Sequence, residues 1–212
     1  MGKLRTIPTY WVLVGALVFS FFTIGGTSFW LPSYIVDDFG LNLTKAGLLS
    51  GVVLVTSGLV GTVVGGWLAD TLQRRWPEGR LLVATLGLLI GAPLVLLALF
   101  IHLLWLFVVV FILAGITLNF CTGPLNAVIQ DVIAPEMRST AIGLSLLLAH
   151  LLGDAAAPLA IGALVQRIPL PLGTALAITA PTSLFIAGLV CLLGLRTVAK
   201  DMQRMKKTLP QG

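Results

Sequence analysis

The chain has 212 residues, of which 58% are hydrophobic and 10% charged, with a mean hydropathy of +1.05 and a formal net charge of +5. That composition excludes a water-soluble domain, and the scatter of the basic residues along the chain excludes a nucleic-acid patch. Cys121 and Cys191 lie within apolar runs and lack the spacing of a disulfide framework or a zinc site, so no metal or other cofactor is expected.

Residues 81–130 contain no Asp, Glu, Lys or Arg. A bilayer core of about 30 Å is crossed by roughly 20 helical residues, so this stretch reads as two spans joined near His102. Taken in chain order, apolar runs and breakers predict an all-α, polytopic membrane protein, a single bundle of spans over 8–30, 44–68, 80–101, 103–130, 139–165 and 171–195, with a tail over 196–212. The first run is of full span length and carries no small-residue cleavage pattern, so it is expected to stay in the mature protein. Tyr10, Trp11, Trp30 and Tyr34 are expected as interfacial anchors of span one. Thr44 and Ser139 are expected as N-caps, and Gly123-Pro124 should kink span four. In span two, Ser57, Gly61, Gly65 and Ala69 recur every four residues, a small face that invites close helix packing.

An even number of spans puts both ends on one side. With that side cytoplasmic, Lys45 and Arg167 are the only basic residues outside, an asymmetry that orients the protein in a plasma or inner membrane by the positive-inside rule.

Span five holds two titratable side chains, His150 and Asp154. Counted from Ser139 at about 1.5 Å per residue, they lie roughly 17 and 22 Å into the helix, beyond snorkelling reach. At i, i+4 they share a face, and such residues inside a bilayer usually line a pathway or a bundle interior. Asp154 is therefore a candidate proton carrier; a structural clip between helices is the alternative. Span four carries Asn119, Thr122, Asn126 and Gln130 at spacings of three and four, a polar stripe that is either a cavity wall or interhelical glue. Phe22, Thr23, Gly26, Thr27 and Trp30 give span one a mixed aromatic and hydroxyl surface, either the lining of a pocket for an amphipathic ligand or, as is commoner for membrane aromatics, a packing or lipid-facing surface. No nucleophile or third metal ligand is expected near His150 and Asp154, which argues against an enzyme.

The loop after span two, Gly65-Gly66-Trp67-Leu68-Ala69-Asp70-Thr71-Leu72-Gln73-Arg74-Arg75, resembles the signature loop of the major facilitator superfamily, with Thr71 in place of an Arg and Gln73 in place of a Gly. With Arg138-Ser-Thr-Ala141 and His150-Leu-Leu-Gly-Asp-Ala155 followed by Pro158, nearly the whole chain resembles the carboxy-terminal half of spinster-like lipid transporters. The resemblance implies gradient-driven movement of lysophospholipids, sphingoid phosphates or other amphipathic anions, with Gly66, Asp70, Arg74, Arg75 and Arg138 as gating residues. It also implies that the family's principal proton-linked acid belongs to the other half.

Facilitators rock two halves about a site between them, so one half needs a partner: the missing amino-terminal half or a second copy. In a homodimer, Asp70 of one chain would meet Arg138 and the start of span five of the other. A truncated fragment, a membrane scaffold, and a facilitator for drugs or sugar acids are the alternatives.

Overall fold

A computed structural model of the chain describes residues 7–168 and 170–208, and every element among them is helical. The helices are α1 (Pro8–Phe39), α2 (Leu43–Gln73), α3 (Gly79–Leu99), α4 (Leu104–Asn119), α5 (Thr122–Val132), α6 (Arg138–Leu148), α7 (Ala156–Arg167) and α8 (Leu172–Thr208). A short 3₁₀ turn, Pro135–Met137, leads into α6, and a π-helical segment, Ala149–Asp154, joins α6 to α7. Together they supply six membrane-length apolar stretches, so the protein is an integral membrane protein of all-α class.

The ends of the helices have identifiable causes. Pro8 stands in the first turn of α1, where its missing N–H is no loss, and Gly40 ends that helix with φ at 66° and its N–H donating to the Val36 carbonyl at 3.0 Å. The cap of α2 is Asn42 and not Thr44: the Asn42 side-chain oxygen accepts from the Lys45 N–H at 2.9 Å. Likewise Ser139 lies inside α6, which follows Met137 without a side-chain cap, because the preceding 3₁₀ turn already supplies the entry geometry. The kink of the fourth span is a break between α4 and α5. Pro124 lacks the N–H that would serve the Phe120 carbonyl, four residues back, and the chain tightens there, with Phe120 N–H on Thr117 and Cys121 N–H on Leu118 at 3.2 and 3.4 Å.

The most buried spans are α3, α1 and α8, which pack together as the centre of the bundle, while α2, α4/α5 and α6/α7 each keep an open face. The small face of α2 packs as expected: a Cβ on Gly61 would meet the Ile116 carbonyl at 2.6 Å and one on Gly65 the Phe120 Cα at 2.6 Å, so α2 lies backbone to backbone against α4. The opposite face of α2, with Leu48, Val52, Val55, Leu59, Val63 and Trp67, is exposed.

Three of the four expected anchors are instead ties between helices. Tyr10 and Tyr34 are buried, their hydroxyls donating to the carbonyls of Ala141 (2.9 Å) and Leu99 (3.2 Å), and the Trp30 indole donates to the Pro158 carbonyl at 3.3 Å. The reason is length: α1 runs on to Phe39, so Trp30 and Tyr34 sit within the packed helix and their polar atoms need protein partners. Trp11 remains exposed. The stretch read as a tail continues α8 as far as Thr208. There buried Asp201 accepts from the Thr9 hydroxyl at 2.6 Å and the Thr9 N–H at 3.3 Å, capping the start of α1 from the far end of the chain.

The π segment seats directly on α1. A methyl on Gly25 would overlap the Asp154 backbone, and a Cβ on Gly153 would come within 2.8 Å of the Val18 carbonyl. Gly25→Val and Gly153→Val are therefore expected to lower stability by roughly 1–3 kcal/mol or more, the range for overpacking a tight contact. Gly143→Ala, inside α6 where a Cβ meets nothing within 4 Å, should not lower it and should raise it by up to about 1 kcal/mol through helix propensity. Melting curves of the three variants in one detergent check this; equal midpoints would refute the close seating.

Candidate functional site

Span five is distorted where its titratable pair lies. Pro158 cannot donate to the Asp154 carbonyl, four residues earlier, and the preceding turn widens to an i→i+5 bond, Ala155 N–H to the His150 carbonyl at 2.9 Å. In this wider turn His150 Nδ1 and Asp154 Oδ2 lie 2.8 Å apart. With the carboxylate ionised, Nδ1 is the donor, and the fourfold spacing holds as a direct hydrogen bond. The Phe21 ring meets the imidazole edge to face at 5.0 Å. His150 is exposed, whereas Asp154 Oδ1 is buried without a partner.

The polar stripe of span four is divided by the helix break: Asn119 ends α4, while Thr122, Asn126 and Gln130 belong to α5. Their amides turn back on their own helices, Asn119 Nδ2 to the Gly115 carbonyl (2.8 Å), Asn126 Nδ2 to Thr122 (2.9 Å) and Gln130 Nε2 to Asn126 (3.4 Å). Thr122 Oγ1 and Asn126 Oδ1 are buried and without a partner. Among the described residues no hydrogen bond joins the His150–Asp154 pair to this stripe, so the sequence-predicted pathway residues form two separate groups. Asn119 also faces a cavity of about 140 Å³ with Thr23, Thr27 and Ser57. That is below the roughly 300–1,000 Å³ of pockets that enclose drug-sized ligands.

At the end of the bundle that carries the α2–α3 turn, the signature residues behave differently from one another. Asp70 has a partner within the chain: the Arg80 guanidinium donates to Asp70 Oδ1 from Nε (3.1 Å) and Nη2 (2.9 Å), and from Nη1 to Asp131 Oδ2 (2.8 Å). One fork thus ties α2, α3 and α5. Arg138 Nε donates to the Ile133 carbonyl at 3.3 Å and closes the turn before α6. A Cβ on Gly66 would meet nothing within 4 Å, so no close packing explains that glycine, and Arg74 and Arg75 line a separate cavity. Sequence reasoning passed over Arg80 and Asp131, although they bound the charge-free run and an antiparallel hairpin must bring its two ends together. At the other end His102 Nδ1 lies 3.0 Å from Asp38 Oδ2, beside a cavity of about 610 Å³ between α1, α3 and α8.

The comparisons with known proteins agree with this architecture. The chain is 27% identical over 157 residues to protein spinster of Drosophila melanogaster, covering 69% of this chain and 26% of that protein. It is 27% identical over 176 residues to a probable sphingolipid transporter, spinster homolog 3 of Arabidopsis thaliana, covering 82% of this chain and 33% of that one. The crystal structure of a bacterial homolog of the human lysosomal transporter spinster, inward-facing and unoccupied, superposes with a TM-score of 0.68 at 18% identity, covering 97% of this chain and 50% of that chain. The chain thus spans between a quarter and a third of the curated relatives and half of the solved structure. A profile of the Major Facilitator Superfamily matches residues 1–158, and the chain belongs to that superfamily.

Proposed function

We propose that this chain forms one six-helix half of a gradient-driven transporter for lysophospholipids, sphingoid or other amphipathic anions, working by alternating access against a second six-helix bundle. The observation that carries this reading is the set of buried, partnerless polar atoms, Thr122 Oγ1, Asn126 Oδ1 and Asp154 Oδ1, on two of the three spans with open faces. In a bilayer such groups need protein or water, not acyl chains. The small cavity beside Asn119 points the same way, since a substrate-sized site would need a second wall. The lipid substrate class rests on the likeness to spinster proteins.

In this reading both termini are cytoplasmic, the His150–Asp154 pair and the α5 stripe border the path, and the Arg80 fork with Arg138 holds the helix ends that move. The second bundle is the amino-terminal half or a second copy. The Arg80 fork leaves Asp70 less available to a neighbour's Arg138, which favours the amino-terminal half.

Proteoliposomes carrying the chain with and without an amino-terminal half from a spinster relative separate the outcomes. Lysophospholipid uptake driven by a proton gradient is expected only with both halves; uptake by the chain alone, as a cross-linkable dimer, would make the partner a second copy. In the active assembly Asp154→Asn should reduce uptake to the background of empty liposomes while the halves still copurify. Copurification lost together with uptake would assign the pair to assembly, the scaffold reading, and uptake of sugar acids or drugs without lipid would change the substrate class.

A further inference from the structure

The α2–α3 turn forms one wall of the cavity lined by Arg74 and Arg75, about 360 Å³ in volume, with the far end of α8 opposite. Its floor is apolar, with Met202 buried and Ala199 half-buried, and its rim carries Arg74, Arg75, Trp76 and Gln203. The turn is fixed before any ligand arrives. Arg75 and Trp76 N–H both donate to the Leu72 carbonyl at 3.0 and 2.9 Å, and the Gln73 side chain donates to the Pro77 carbonyl and accepts from the Arg80 N–H. A Cβ on Gly79 would overlap Leu72, so the turn closes tightly on the end of α2.

The charges around this cavity are predominantly positive, Arg74, Arg75, Arg196 and Lys200 against Glu78. Asp70 and Asp131 are both held by Arg80, Asp201 faces Thr9 on the α1 side, and Glu78, the one acid of the turn itself, makes no ion pair with Arg74 or Arg75. Neither the Arg74 nor the Arg75 side chain makes an ion pair or hydrogen bond among the described residues, and Arg196 and Lys200 are exposed on the nearby end of α8. Two guanidinium forks beside a low-dielectric floor focus positive potential and match the oxygen geometry of phosphate. The exposed indole of Trp76, between two spans that end at Gln73 and begin at Gly79, puts the cavity at the level where aromatic side chains meet headgroups.

We propose that this cavity binds the phosphate of an anionic phospholipid headgroup from the adjacent leaflet, with Arg74 and Arg75 holding the phosphate and the Met202 and Trp76 surfaces taking the start of the acyl region. The site lies apart from the His150–Asp154 pair and the α5 stripe, and its occupant is bound rather than carried. A lipid there would bridge the α2–α3 turn to α8.

The test uses the full chain, delipidated in detergent and offered phosphatidylglycerol or phosphatidylcholine, with retained lipid counted by native mass spectrometry. Phosphatidylglycerol should be preferred, and Arg74→Gln with Arg75→Gln should weaken its retention roughly 30-fold at about 1 kcal/mol per basic residue. Gln203→Glu, which adds a like charge at the rim without altering the turn, should weaken it also and keeps the test informative if the double variant fails to fold. Lys45→Gln with Arg167→Gln, which removes the basic residues of the opposite end, should leave retention unchanged. Equal retention of the two lipids, or retention unaffected in folded rim variants, overturns the proposal. So does complete displacement of phosphatidylglycerol by soluble glycerol 3-phosphate at comparable concentration, which would mark a site for a free phosphate ester.

Discussion

In a medium without water, each polar atom on these helices must find its partner in the protein, and most features of the structure follow from that constraint. Hydroxyls in the spans bond back to carbonyls of their own helix, as Ser20 does to Ala16, Ser50 to Ala46 and Thr85 to Leu81. Where a side chain reaches another helix, it marks a junction the bundle depends on: Tyr10 to α6, Tyr34 to α3, Thr23 and Ser183 between α1 and α8. Self-satisfaction is local and carries little information about function. The atoms left over are informative, and they fall on α5 and at Asp154, on the two spans whose α-helix is broken ahead of a proline.

Close approach does the rest of the packing. Lipid tails are as apolar as leucine, so burying hydrocarbon contributes little to helix association and contact between backbones contributes more. Glycine permits it where α2 meets α4 and where α1 meets the π segment. The second contact has a chemical effect as well, because it fixes the widened turn that holds His150 on Asp154.

Much of this was legible in the sequence. The charge-free run gave the α3–α4/α5 hairpin, the fourfold repeat of small residues gave the packed face of α2, and the spacing of His150 and Asp154 gave their contact. The extent of the helices was not legible, because hydropathy falls off where a helix leaves the hydrocarbon and not where its hydrogen bonds end; α1 and α8 continue well past their apolar segments. That error turned Trp30 and Tyr34 into anchors and hid Asp201 in a tail. The caps at Thr44 and Ser139 failed for a related reason, since a nearby Asn and a 3₁₀ turn competed for the same positions. The π segment had a signal, Pro158 four residues after Asp154, but a proline predicts a disturbed helix without saying which way the disturbance resolves.

The two ends of the α3–α5 hairpin illustrate how topology sorts charge. Arg80 and Asp131 are far apart in sequence and adjacent in space because two antiparallel spans return the chain to the level at which it started, and Asp70 joins them as the last acid of α2. Exposed ion pairs contribute little individually, on the order of 0–1 kcal/mol, so the fork is better understood by what it does to its neighbours. It takes up Asp70 and Asp131, so neither is free for Arg74 and Arg75, and Glu78, on the same turn, makes no ion pair with them among the described residues. A fully paired turn would be electrostatically silent at the membrane surface. This one presents an ordered rim on which Arg74 and Arg75 outnumber Glu78, a surface that favours anions over cations.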